Sequence, residues 1–346
     1  MLRKSFSLCL ILIIFLGLLF FNACAPNPND GTQSKRDKKL QEVGGFLGGT
    51  EGLRVSLVDG APPKVIQDSG LTPFSFIVTL ENAGESDVGP DTDNPTVFAR
   101  LTGIMYRNFD LREQDVVKRL DAKLASASRN FEGTILPGEI NFISFDDLTY
   151  LPDVFDSIAL TIRGEVCYDY ENIATVKFCM KKDVLESWED ASICTLSGDK
   201  PVGNSGGPIH VTRVEEAPIN RNMIQLNFVI EHLGTGVFFS RDERNMMMDM
   251  CWFDELNPEI YALEVFIEPI QENTYSIECM RLDNHLAGGG AHGKIKMFMG
   301  APLTLTCFLT NEAGPDVRVY EDLLNVRLRY RYGEFIEAPI LIQSHP

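Results

Sequence analysis

Period-two alternation decides the fold class of this chain. Phe74, Phe76, Val78 and Leu80 alternate with Ser75, Ile77 and Thr79, and Ile224, Leu226, Phe228 and Ile230 alternate with Gln225, Asn227 and Val229. Successive side chains of a strand point to opposite faces, so each run reads as a half-buried strand. Further strands are expected over 97–106, 140–145, 157–167, 174–180, 263–270, 275–280, 295–299 and 303–310. Near the end, Val326, Leu328, Tyr330 and Tyr332 alternate with Arg327, Arg329 and Arg331. Turns are expected at Glu81-Asn-Ala-Gly84, Leu136-Pro-Gly138, Tyr170-Glu-Asn172 and Leu233-Gly234. One helix is expected over 111–125, where Val116, Leu120 and Leu124 share a face. Short strands at this spacing predict antiparallel sandwiches.

The two halves also resemble each other. Arg54-Val-Ser-Leu-Val58-Asp-Gly-Ala-Pro62 lines up with His210-Val-Thr-Arg-Val214-Glu-Glu-Ala-Pro218, and each is followed by the strongest alternating strand of its half. That is the mark of an internal duplication. Gly198, Pro201, Gly203, Gly206 and Gly207 cluster between the copies and predict a linker. The expected organisation is a signal peptide or membrane anchor at 1–24, a flexible tether at 25–50, one sandwich at 51–182, a linker at 183–206 and a second sandwich at 207–346.

The turn after the strand at Phe74, the block Cys167-Tyr-Asp-Tyr170 followed by Cys179, Gly207-Pro-Ile-His-Val211 and the closing Leu328-Arg-Tyr-Arg-Tyr332 resemble a loose group of uncharacterised archaeal, membrane-anchored surface proteins with tandem Ig-like domains. The resemblance covers most of the chain after Gly49. It implies an all-β fold of two tandem Ig-like antiparallel sandwiches outside the cell, behind an N-terminal hydrophobic signal or anchor helix. It carries over no catalytic residue.

Arg3 and Lys4 precede an apolar run over 8–21 that ends at Phe21-Asn-Ala-Cys24. A positive n-region ahead of such a run is the secretory pattern. Two anchored forms compete, a lipoprotein with Cys24 as its lipidated first residue and an uncleaved transmembrane anchor held inside by Arg3 and Lys4, with simple secretion as the third outcome. In either anchored form the partner is a membrane, and in all three the rest of the chain is extracytoplasmic. Loss of the leader takes Arg3 and Lys4 with it and leaves 29 basic against 49 acidic residues, a net charge of −20. No basic face is left for nucleic acid. The run Lys35-Arg-Asp-Lys-Lys39 would lie on anionic headgroups or simply be solvated in the tether.

Of eight cysteines, six lie beyond the N-terminal segment, and an even count in an exported chain favours disulfides. Cys179 and Cys194 flank a short loop and are the first expected pair. Cys279 and Cys307, on expected strands, are the second, which leaves Cys167 and Cys251.

Several constellations bear on chemistry. Gly203-Asn-Ser-Gly-Gly-Pro208 matches the surroundings of a serine-protease nucleophile, but all five histidines (His210, His232, His285, His292 and His345) follow Ser205. A triad is defined by roles and not by one hexapeptide, so the run reads as a Gly-rich hinge. Asp87, Asp91, Asp93 and Asn94 form an oxygen-rich loop, a calcium candidate against the simpler reading of a solvated turn. His285 and His292 bracket a Gly-rich loop whose geometry is too loose for a metal. Met246, Met247, Met248, Trp252 and Phe253 form an apolar stretch suited to a protein partner, or to a loop pinned through Cys251. Arg327, Arg329 and Arg331 are expected to meet acids on a neighbouring strand. No cofactor is implied. The resulting expectation is a membrane-anchored binding or structural protein of the cell surface, not an enzyme. The alternatives are a repeating subunit of a surface layer or filament, and a secreted hydrolase whose site is scattered in sequence.

Overall fold

The computed structural model describes residues 45–181, 183–185, 193–241, 251, 257–270, 275–282, 284–286, 289–311 and 319–345. Cys24, Met246, Met247, Met248, Trp252 and Phe253 lie outside the described residues. All of the described residues fall within a single unit, Leu40–Pro346.

The first half supplies β1 (Leu53–Leu57), β2 (Val65–Gln67), β3 (Phe74–Asn82), β4 (Val97–Thr102), β5 (Val117–Arg119), β6 (Ser128–Arg129), β7 (Ile135–Leu136), β8 (Ile140–Leu148) and β9 (Ser157–Lys181). The second supplies β10 (Gly198–Lys200), β11 (Val202–Asn204), β12 (Ile209–Asn220), β13 (Met223–His232), β14 (Val237–Phe239), β15 (Ala262–Pro269), β16 (Tyr275–Cys279), β17 (Asn284–His285), β18 (Ala291–Lys296), β19 (Leu303–Asn311) and β20 (Val319–Gln343). Alternation becomes burial as expected: Phe74, Phe76, Val78 and Leu80 of β3, and Ile224, Leu226, Phe228 and Ile230 of β13, are all buried.

Three larger sheets result. β1-β3-β8 form a three-stranded sheet and β10-β12-β13-β19-β16 a five-stranded one. A ten-stranded sheet runs β17-β18-β15-β20-β9-β4-β5, with β11 on β9 and β2 and β14 on β20. The small sheets pack on this shared sheet in a sandwich-like way. A methyl group on Gly164 of β9 would come within 2.8 Å of the Phe76 ring of β3, so only glycine admits that approach.

Two expectations are corrected here. No α-helix occurs among the described residues; 111–125 is a turn at 113–115 followed by β5 and irregular chain. Val116, Leu120 and Leu124 are buried, but positions four apart also share a face of an extended chain, so the spacing does not discriminate. The strands expected at 157–167 and 174–180 are one 25-residue strand, β9. Tyr170-Glu-Asn172 is no turn, because Tyr170 and Asn172 point inward and are buried.

The stretch expected as a linker, 183–206, does not hold two independent sandwiches apart. It contains β10 and β11, which pair with β12 and β9. β9 and β20, one from each half, pair antiparallel along their full 25 residues. The duplication read from sequence has a structural counterpart. The order β1-β3-β8 matches β12-β13-β19, and β5-β4-β9 matches β18-β15-β20. Leu80 sits between Val55 and Asn141, as Ile230 sits between Val211 and Leu303. Asp169 and Arg331 are opposite each other at the midpoints of β9 and β20. Antiparallel pairing of equivalent strands in this register makes the arrangement two-fold about that pair.

Candidate functional site at the internal dyad

The inward residues on either side of the midpoint are tyrosines. Tyr168 faces Tyr332 and Tyr170 faces Tyr330, with ring centroids 5.7 and 6.2 Å apart. All four are buried, and burial raises each hydroxyl above its ordinary range, so they act as protonated donors. Tyr168 donates to Glu334 Oε1 (3.0 Å), Tyr170 to the Gly206 carbonyl (2.9 Å) and Tyr330 to Asn172 Oδ1. The Tyr332 hydroxyl accepts the Gly236 N–H at 2.7 Å and lies 3.0 Å from His232 Nε2. Each half thus plugs its own turn with a tyrosine, Tyr170 at Gly84 and Tyr332 at Gly234. Gly84 N donates to Gly52 O at 2.9 Å, and Gly234 N to Pro208 O at 3.2 Å.

Gly203-Asn-Ser-Gly-Gly-Pro208 belongs to this core, which corrects the hinge reading. Ser205 is buried; its Oγ accepts the Ile173 N–H at 2.9 Å. Gly206 N donates to Glu85 Oε2 at 2.7 Å and Gly207 N to Gly49 O at 3.0 Å. The glycines serve close backbone approach: a Cβ on Gly206 would lie 2.8 Å from Gly48 O.

Glu85 is the residue that the sequence does not single out. Its carboxylate accepts Leu47 N at 2.8 Å, Gly48 N at 2.9 Å and Gly206 N at 2.7 Å. It therefore ties the end of the expected tether to the dyad with charge-assisted bonds. The only signal is indirect: Gly-rich runs at Gly48-Gly49 and Gly206-Gly207 carry N–H groups that need acceptors when packed. His210 stands beside this dock; burial lowers its pKa, against hydrogen bonds with Gly207 and Gly49.

On the opposite face of the shared sheet the expected pairing of the arginines is present. Arg331 Nε lies 2.9 Å from Asp169 Oδ1, Arg329 Nε 3.3 Å from Glu171 Oε2, and Arg327 Nη2 2.8 Å from Glu268 Oε1. Arg241 adds a contact to Asp169 at 3.5 Å. Burial raises the pKa of Glu171, and Arg327, Arg329 and Arg241 work against that rise. His292 stacks on Phe266 with centroids 4.1 Å apart; His285 lies in β17, paired at Ala291.

The calcium candidates Asp87, Asp91 and Asp93 do not converge. Asp87 meets Lys123 at 2.5 Å and accepts Ser126 N at 2.8 Å. Burial raises its pKa, and these two partners more than offset that, leaving it lowered. The Asp93 carbonyl and Asn94 Oδ1 accept from Arg241 at 2.7 and 3.1 Å. Asp91 is exposed with φ 62°. Cations of the chain itself hold the loop's oxygens, and among the described residues no three His, Cys, Asp or Glu gather as metal ligands.

The six cysteines form three disulfides: Cys179–Cys194, Cys279–Cys307 and Cys167–Cys251. The last pins Cys251 to the outer face of β9, where Phe98 and Phe239 join it in a small apolar cluster.

No family model matches the chain, and no curated protein does. One solved structure, of manganese lipoxygenase of Gaeumannomyces graminis with a partial zonadhesin of Komagataella pastoris, aligns over 84% of this chain and 92% of that one. It does so at 7% identity and a TM-score of 0.10, too slight a likeness to bear on fold or function.

Proposed function

We propose that the chain is a membrane-anchored, extracytoplasmic binding or structural protein that works by holding surfaces and not by catalysis. Its two duplicated units read as Ig-like half-sandwiches fused through β9 and β20, behind an N-terminal hydrophobic segment with Cys24 as its lipidation site. The observation that carries this reading is the pairing of all six cysteines beyond that segment, since disulfides form and persist in oxidising compartments. Clamping of Leu47 and Gly48 by Glu85 supports it, because an anchored body needs a fixed point of attachment. Among the described residues no helix is long and apolar enough to cross a membrane, so anchoring rests on 8–21, outside them. A protein partner at Met246, Met247, Met248, Trp252 and Phe253 belongs to the same reading.

The test is protease shaving of intact cells combined with mass spectrometry of the mature N-terminus. The reading predicts peptides from 51–346 released by external protease, and a lipid on Cys24 or an intact Met1. A reduced, protected chain inside the cell would overturn it. A second reading, a repeating subunit of a surface layer or filament, is favoured by one feature: among the described residues, β20 is unpaired on one side over 334–340.

A further inference from the structure

Both halves carry an exposed aromatic at the same place in the duplication. In the strand order that the halves share, the connection from β5 to β8 is the counterpart of the connection from β18 to β19. The first contains the β6-β7 hairpin, whose turn holds Phe131 with 97% of its surface exposed. The second is a single turn in which Phe298 and Met299 are 81% and 76% exposed. In each, a basic residue stands two positions ahead of the aromatic, in Arg129-Asn-Phe131 and in Lys296-Met-Phe298, and both cations are exposed. Lys296 also donates to the Pro258 carbonyl at 2.9 Å.

The fold does not ask for these apolar side chains. The hairpin turn is built by Asn130, whose Oδ1 accepts the N–H groups of Glu132 at 3.0 Å and Thr134 at 2.9 Å, and by Gly133 at φ 83°. Nothing in that geometry selects Phe at 131. Met299 takes a φ of 50°, a left-handed conformation that glycine or asparagine adopts at less cost. Around the hairpin Ile135, Leu136, Ile140 and Phe142 are exposed as well. An apolar cluster left open to water marks a surface that meets an apolar partner.

Both tips stand where the chain from the N-terminus enters the fold. The hairpin is held at Gly84, whose carbonyl accepts Ala127 N at 2.9 Å. The neighbouring Glu85 holds Leu47 and Gly48. The Phe298 turn packs beside His232: a Cβ on Gly300 would lie 3.7 Å from its Nδ1. His232 closes β13 as Asn82 closes β3, so the tips occupy equivalent places about the dyad, on the side of the small sheets. Between them Gly49 accepts Gly207 N at 3.0 Å.

We infer that this side of the fold rests on a lipid bilayer, with Phe131, Phe298 and Met299 immersed in its interface and Arg129 and Lys296 at the level of the phosphates. The course of the chain selects that occupant. The segment docked between the tips leads back to the apolar run over 8–21, so the membrane that takes the run meets the molecule on this side. Protruding aromatics, each behind a long basic side chain, suit an interface where rings enter the acyl boundary and cations reach back to the headgroups. The chain is acidic overall, so charge does not supply the attraction and neutral lipid should suffice. The inference rests on the anchoring reading and adds to it a membrane-facing surface on the folded part.

The test places a nitroxide on the full chain through Phe131→p-acetylphenylalanine, Phe298→p-acetylphenylalanine or Phe155→p-acetylphenylalanine, in phosphatidylcholine vesicles separated by flotation. Phe155 is the reference, fully exposed and roughly 45 Å along the shared sheet from Asp169. All three positions are exposed, so thermal melting should match that of the unaltered chain. Labels at 131 and 298 are expected to collide with oxygen, which concentrates in lipid, and to be shielded from a nickel chelate, which stays in water. Their ratio of oxygen to nickel accessibility should exceed that at 155 by about threefold or more. If the chain floats but a label at 131 or 298 is as open to nickel as the one at 155, the inference is overturned and anchoring stands. A label closed to both reagents marks a protein neighbour and overturns it too. A chain that stays in the aqueous fraction overturns the anchoring reading and this inference with it.

Discussion

At the residue scale, the packing of tyrosines against turns makes a sharp demand on two glycines. A methyl group on Gly84 would run into the Tyr170 hydroxyl and lie 2.9 Å from the carbonyls of Glu51 and Gly206; one on Gly234 would meet the Tyr332 hydroxyl and Pro208. Gly84→Ala is expected to cost about 3 kcal/mol, the scale of overpacking in a filled core. Adding Tyr170→Phe should restore some of that loss, since the hydroxyl is removed but the carbonyls remain. Urea denaturation of the three variants measures this, and full additivity of the two changes would show that they do not touch.

Glu334 carries a pH dependence. Burial pushes its carboxyl up to about 7, the hydrogen bond from Tyr168 works against the rise, and Glu51 adds to it. The native state therefore holds a proton that the unfolded chain, at an ordinary 4.5, has released. Stability from this group is full below that lower value and is lost as pH rises through 7. Allowing for its partial exposure, the loss is about 2 kcal/mol. Glu334→Gln keeps an acceptor for Tyr168 and should melt a few degrees above the unaltered protein at pH 8, with the two coinciding near pH 4. A constant difference across that range would exclude the account.

At the element scale, the strands legible in sequence are those with one wet face. β3 and β13 alternate because each buries every second side chain, and the pattern places them within a residue or two. β9 and β20 read as fragments for a physical reason. At the dyad both faces of these strands are engaged, by tyrosines on one side and by Asp169, Glu171 and Arg331 on the other, so polar residues interrupt the pattern without ending the strand. The Gly-rich run around Ser205 misleads in the same way, since glycine marks close approach as well as freedom. Glu85 is invisible to pattern, because its partners are backbone N–H groups contributed by distant stretches. Disulfides act at this scale too. Cys167–Cys251 spans 84 residues and Cys179–Cys194 spans 15. Loop-closure entropy then predicts losses of ~4.5 and ~3 kcal/mol on replacing each pair by serines, a ranking that guanidinium midpoints can test.

At the scale of the whole molecule, duplication and fusion explain each other. A six-stranded unit with strand order like β1-β3-β8 and β5-β4-β9 would leave β9 as an open edge. Doubling the unit lets that edge pair with its own counterpart, β20, along all 25 residues. Edges abolished by pairing are edges protected from aggregation. The two halves then cannot behave as beads on a string, because their largest contact is the middle of one sheet. The most direct measurement is differential scanning calorimetry of the full chain with its disulfides intact. Shared strands predict one transition whose calorimetric and van't Hoff enthalpies agree. Two resolved transitions, or a fragment of 51–182 that folds alone with native amide protection, would contradict the fusion of the halves through β9 and β20.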